Sequence, residues 1–180
     1  MAALIQFIHP YPHRSRVNRA LIDAVRTLPN VVVNDLYARY PNLHVDVERE
    51  QDLLRSADTV IFQHPLYWYS GPALLKEWID VVLDQGFAYG PEGTLLQGKA
   101  WLHSVTTGMP EAAYTAGGIN RTTMAELLRP FECTAEFCGM RWLDPLILHE
   151  AHDVDEHRIA GHAERLRSLI FADSGPDFSP

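Results

Sequence analysis

Two short clusters of residues in this chain have types and spacing suited to binding chemistry. The first is HPYPHRSRVN, which gathers His9, His13, Arg14, Ser15, Arg16 and Asn18 just ahead of a run with helical spacing. Hydroxyl, amide and guanidinium donors at a helix N-terminus suit a terminal phosphate. The turn has no glycine, so it lacks the close backbone approach by which dinucleotide-binding turns hold a pyrophosphate. The second cluster is HPLYWYSGP, with Pro65, three adjacent aromatics (Tyr67, Trp68, Tyr69) and Gly71-Pro72. A flat, proline-stiffened aromatic turn suits a planar ring system. A phosphate at one end and a planar ring at the other point to a flavin.

A third run, HEAHDVDEHRIAGH, carries His149, His152, His157 and His162 and raises the question of a metal. Its spacing is H-E-A-H, not the H-E-x-x-H that sets two histidines on one helical face. No Cys pair stands at zinc spacing either. The run reads instead as a solvated helix start, with Asp153 and Asp155 near its positive end. No metal site is expected.

The elements that must position the two clusters follow from the apolar pattern. Ala2 to His9, Val31 to Leu36, Thr59 to Gln63, Lys99 to Thr106 and Trp142 to Leu148 read as strands. Helices are expected after Ser15, over Val47 to Ser56, from Pro72 to about Asp84, over Arg121 to Cys138, and through Ile159, Ala163, Leu166 and Ile170. Trp78 falls on the apolar stripe of its helix and is expected in the core. Five strands alternating with five helices predict an α/β, flavodoxin-like three-layer sandwich. Its five-stranded parallel sheet has the order 2-1-3-4-5, with helices on both faces. Ligands of such sheets bind beyond the carboxyl ends of the strands, where both clusters lie. Residues 1–172 are expected to form one domain, with 173–180 as a tail.

At 180 residues and a formal charge of −8, the chain lacks the clustered cations that nucleic acid requires. No apolar run approaches the ~20 residues needed to span a bilayer, and the N-terminus does not read as a signal peptide, so a cytoplasmic location is expected. Cys133 and Cys138 stand five residues apart on a predicted helix, point to different faces, and are expected to be buried free thiols.

On these residues the sequence resembles the flavodoxin-fold NAD(P)H:quinone oxidoreductases of the DT-diaphorase type. Within that family it is similar to the bacterial ancillary oxidoreductases of glutathione-regulated potassium-efflux systems. HPLYWYSGPALLKEWIDVVLDQGFAYG carries most of the resemblance, with KAWLHSVTTG and CGMRWLDPLILH as further matches. The resemblance implies a homodimer holding FMN or FAD without a covalent link, and ping-pong hydride transfer from NAD(P)H to quinones. It implies that His9, Ser15, Arg16, Val17 and Asn18 surround the flavin phosphate. Pro65, Leu66, Tyr67, Trp68 and Tyr69 would line the ring, and Thr106, Thr107 and Gly108 would close its other edge. Backbone N–H groups of Thr107 and Gly108, or the hydroxyl of Tyr114, would stabilise the charge that reduction places on the pyrimidine edge. Tyr114 is the one candidate catalytic residue. Related eukaryotic enzymes carry a histidine where this chain has Asn120, which departs from a Tyr–His relay.

Two other readings stay open. One is a regulatory subunit of a potassium-efflux membrane protein, peripheral at the inner membrane through that partner. The other is a single-electron shuttle.

Overall fold

The computed structural model describes residues 2–172; the expected tail, 173–180, lies outside the described residues. Among these residues six strands form one sheet: β1 (Ala3–Phe7), β2 (Val31–Asp35), β3 (Thr59–Pro65), β4 (Ala100–Thr106), β5 (Arg141–Trp142) and β6 (Leu146–Leu148). Its order is β2-β1-β3-β4-β5, all parallel, with β6 also on β4. The order is the expected 2-1-3-4-5.

The expected fifth strand, Trp142 to Leu148, is two short strands in one edge position, separated by Leu143-Asp144-Pro145. Pro145 has no N–H to give to a ladder, so pairing lapses and resumes at Leu146.

Among the described residues six α-helices cover the sheet: α1 (Arg16–Val25), α2 (Leu36–Arg39), α3 (Val47–Ser56), α4 (Ala73–Val82), α5 (Met124–Phe137) and α6 (Glu156–Ala172). α2 is a single turn absent from the expectation. The Asp35 side chain caps it by accepting from Ala38 N–H, which ends β2 one residue early. On one face Leu4, Phe62, Trp101 and Val105 pack with Leu54 of α3, Trp78 of α4 and Phe131 of α5. On the other, Ile5, Ile61 and Leu102 pack with Leu21 of α1 and Leu166 of α6. β1, β3 and β4 are buried along their whole length, as central parallel strands require.

The first face also holds a buried carboxylate. Glu50 is fully buried and accepts from Gln6 Nε2 and Trp78 Nε1 (both 2.9 Å), Tyr40 Oη (2.7 Å) and Asn34 Nδ2 (2.9 Å). Arg49 supplies the countercharge at 2.5 Å. The network ties β1, β2, α3 and α4 together below the strand ends that carry the site. A buried charge persists only when paired and hydrogen-bonded in this way.

Both cysteines are free thiols, but only Cys138 is buried; burial pushes its thiol up to about 11. Cys133, expected to be buried, is exposed on the solvent side of α5.

Candidate functional site

The carboxyl ends of β1, β3 and β4 open into a cavity of about 580 Å³. That volume is in the range of small-molecule sites. At one end lies the loop from Tyr11 to Ser15, which includes a single 3-10 turn over Pro12–Arg14. Ser15 is the N-cap of α1 in extended conformation, and its Oγ accepts from Asn18 N–H at 3.2 Å. The N–H groups of Arg16 and Val17, ahead of the first helical hydrogen bonds, are left for an anion.

Three side chains at this end behave differently from a simple ring of phosphate donors. His9 is buried, and its Nδ1 accepts from Tyr11 N–H at 3.1 Å, which leaves Nε2 protonated and able to donate. Burial, and then the neighbouring His13, hold the His9 pKa below its ordinary value. Asn18 turns inward as a clamp. Its Nδ2 donates to Ser15 Oγ (3.0 Å) and Thr106 Oγ1 (2.9 Å), and its Oδ1 accepts from Gln63 Nε2 at 2.6 Å. The Arg16 guanidinium turns to α6, pairing with Glu156 at 2.5 Å and with the Val154 carbonyl.

The far end is walled by Pro65, Leu66 and Tyr67 on one side and by Thr106, Thr107 and Gly108 on the other. Leu66 N–H donates to the Thr106 carbonyl at 2.8 Å and joins the two walls directly. Thr107 N–H donates to Leu148 O at 3.0 Å and is not available to a ligand. Gly108 N–H has no acceptor among the described residues, so it is the free backbone donor of this wall.

Trp68, Tyr69 and Tyr114 do not line the cavity. Tyr67 and Ser70 exchange backbone hydrogen bonds at 2.9 and 3.0 Å, closing a two-residue hairpin over Trp68 and Tyr69. Both central residues take positive φ, 48° and 65°. Such turns favour Asn-Gly, and each bulky residue there costs about 1–2 kcal/mol. The turn holds Trp68 out into solvent, 93% exposed, while the Tyr69 hydroxyl reaches Asn120 Oδ1 at 3.3 Å. Tyr114 is buried, its ring 5.4 Å from that of His149.

The loop after β6 supplies residues that the sequence reading missed. Ala151 N–H donates to Thr107 O at 2.9 Å and Glu150 N–H to Met109 O at 3.3 Å, so Ala151 and His152 line the cavity beside Gly108. The Thr107 hydroxyl gives its one proton to Met109 O at 2.8 Å, so His149 Nδ1–H donates to Thr107 Oγ1 at 2.9 Å. Burial holds the His149 pKa below its ordinary value. The available signal was the HEAH run itself, two histidines following a strand end. Among the described residues, no group of three or more His, Cys, Asp or Glu side chains is gathered as a metal would need.

An anion cradle of helix amides, a protonated His9 nitrogen, two backbone walls joined by a hydrogen bond and one free backbone donor fit a phosphorylated planar ring. The chain belongs to the family of flavodoxin-like fold, whose model matches residues 1–170. Over 161 residues it is 48% identical to the glutathione-regulated potassium-efflux system ancillary protein KefG of Enterobacter sp. (strain 638), covering 89% of this chain and 88% of that protein. The structure resembles general stress protein 14 of Treponema denticola in complex with FMN, with a TM-score of 0.86 and 36% identity, covering 97% of this chain and 99% of that one. It also resembles an NADPH-quinone reductase of P. pentosaceus, with a TM-score of 0.87 and 34% identity, covering 94% and 97%. Among the described residues no helix is long and apolar enough to cross a membrane.

Proposed function

We propose that this chain is a flavin-dependent NAD(P)H oxidoreductase that reduces quinones, with FMN held in the cavity at the ends of β1, β3 and β4. The observation that carries the reading is the pairing of Leu66 N–H with Thr106 O, beside an anion-ready helix start. The FMN of the Treponema protein and the activity in the name of the P. pentosaceus protein support it.

A bound flavin supplies hydride transfer, first from NAD(P)H and then to the quinone, which ends as hydroquinone after taking up a proton. The chain's own part is binding and electrostatics. The Arg16 and Val17 amides, Ser15 and His9 Nε2–H hold the phosphate. Asn18 keeps that end rigid and fixed to β4. Gly108 N–H, set without need of rearrangement, stabilises negative charge on the pyrimidine edge of the ring. Tyr67 forms one wall of the ring site. Tyr114 contributes by supporting the Thr107 loop together with His149. Trp68 is displayed at the mouth for a second planar molecule or a second copy of the chain, and the reading includes a homodimer.

The test is direct. Purified protein should carry or take up FMN, show flavin absorption bands and oxidise NADH or NADPH when a benzoquinone is supplied. Protein that binds neither FMN nor FAD would overturn the reading.

A second reading rests on the name of the KefG relative: an ancillary subunit of a potassium-efflux membrane protein. Co-purification with such a protein, and altered efflux on addition of this chain, would support it, and both activities can reside in one molecule.

A further inference from the structure

Two fully buried histidines stand directly behind the cavity wall and take no part in the site described above. His64 is the penultimate residue of β3 and His103 lies in β4. Their rings meet edge to face, with His64 Nε2 2.8 Å from His103 Nδ1. On its other side, His64 Nδ1 lies 3.0 Å from the carbonyl of Pro65, the first residue of the wall.

The ladder explains why a side chain is needed there. β1 and β3 pair with Phe7 opposite Gln63, and Ile8 N–H donates to Gln63 O at 2.9 Å. Two residues further along the same register, the amide of residue 10 would meet the Pro65 carbonyl. Residue 10 is proline and has no N–H. A buried strand carbonyl left in this way requires another donor.

We propose that His64, backed by His103, is a positioning residue that supplies the donor Pro10 lacks and thereby fixes the Pro65–Leu66 wall of the cavity. A carbonyl can only accept, so the proton is on His64 Nδ1 and its Nε2 is a lone pair. That lone pair accepts from His103 Nδ1–H, which leaves His103 Nε2 unprotonated. His103 Nε2 is the buried atom of the pair with no partner among the described residues, and aromatic rings surround the imidazole. Phe62 stacks on the His103 ring at 5.2 Å and 18°, and Phe131 lies 4.5 Å away. Desolvation lowers the pKa of both rings, so both stay neutral and the direction of the chain of hydrogen bonds is fixed. The next peptide group, Leu66 N–H, is held by Thr106 O, so each side of the wall has one fixed bond.

The consequence for flavin rests on the function proposed above; the hydrogen-bond direction does not. Asn places an amide N–H near the position of histidine Nδ1, and Gln places its amide oxygen near Nε2, where it can accept from His103 Nδ1–H. His64→Asn should therefore keep the bond to Pro65 O and hold the FMN dissociation constant within about two-fold of wild type, although it loses His103. His64→Gln keeps a group toward His103 but frees the carbonyl, and should weaken FMN about ten-fold and shift the flavin midpoint potential. Simple packing predicts the opposite order, because Gln fills more of the space. Equal effects of the two variants, or a larger effect of Asn, would overturn the proposal.

The nitrogen-15 shifts of the wild-type imidazoles read the same question without flavin or mutation. A proton on His64 Nδ1 and none on His103 Nε2 is expected, and an unprotonated His64 Nδ1 would overturn it. Wild-type protein that bound neither FMN nor FAD would remove the proposed function, and these shifts would still decide what His64 does for Pro65.

Discussion

Asn18 Nδ2 donates to Thr106 Oγ1 at 2.9 Å, joining the first turn of α1 to the last residue of β4. With Gln63 Nε2 on its Oδ1 at 2.6 Å, this one amide links the anion end of the cavity to both strands that carry the ring walls. Asn18→Ala removes the acceptor of a buried Gln63 donor and a donor to Thr106. A loss of about 1–3 kcal/mol is expected in urea unfolding. FMN titration of the folded variant should show weaker binding, because the phosphate and ring ends are no longer held at a fixed separation.

The hairpin over Trp68 and Tyr69 gives a prediction of opposite sign. Replacing the pair by Asn-Gly, as the double variant W68N/Y69G, relieves two left-handed bulky residues. The change should raise stability by about 1–2 kcal/mol, read as a higher thermal midpoint. The strain relieved at two residues is partly offset by the entropy of the new glycine and by loss of the Tyr69–Asn120 bond. If Trp68 is displayed for the second planar molecule, the same variant should raise KM for a benzoquinone while FMN affinity stays unchanged. A stabilised variant with wild-type KM would leave the turn without a functional reason.

The strand order and the wall after β3 were legible in the sequence because the central strands are continuous apolar runs and the end of β3 carries distinctive residues. The wall of Thr106, Thr107 and Gly108 came only through the family resemblance. Side-chain direction was not legible. Arg16 reads as a phosphate ligand until Glu156, 140 positions away, is brought beside it by α6. Trp68 and Tyr69 read as ring platforms because nothing in their types announces a two-residue hairpin; Asn-Gly would have. His149 and His152 raise only the question of a metal when read along the chain, since their contact with the Thr107 loop depends on backbone bonds from Glu150 and Ala151. The split of the fifth strand, by contrast, has its signal in the sequence: Pro145 stands in the middle of the run.

Glu50 and Tyr40 make an alkaline prediction. Burial first, and then the hydrogen bond to Glu50, hold the Tyr40 phenol up to about 12, against an ordinary 10. Above pH 10 the unfolded chain loses this proton while the folded one keeps it, so stability present below pH 10 is lost as pH rises toward 12. Tyr40→Phe should flatten that part of the stability profile. Glu50→Ala is harsher: it leaves buried donors on Gln6, Asn34, Tyr40 and Trp78 without their shared acceptor. A loss of about 3–5 kcal/mol is expected by denaturant unfolding. Glu50→Gln, which keeps one acceptor oxygen, should lose less.

His162 governs part of the acid limb. It lies on the inner face of α6, 4% exposed, with Nε2 lacking a partner among the described residues, and burial lowers its pKa to about 4, with Arg165 adding to the shift. The unfolded chain binds this proton near pH 6.5 and the folded chain only near pH 4. Its contribution is therefore complete above pH 6.5 and is lost as pH falls through that window. His64, lowered to about 4 by burial, adds in the same direction. His162→Leu removes the titration and an unpartnered polar atom together. Its stability should match or exceed wild type at pH 7 and fall less steeply between pH 6.5 and pH 4, measured as denaturation midpoints across that range. A variant whose acid limb parallels wild type would mean that the imidazole titrates in the folded protein much as it does in water, and that the inner face of α6 opens to solvent.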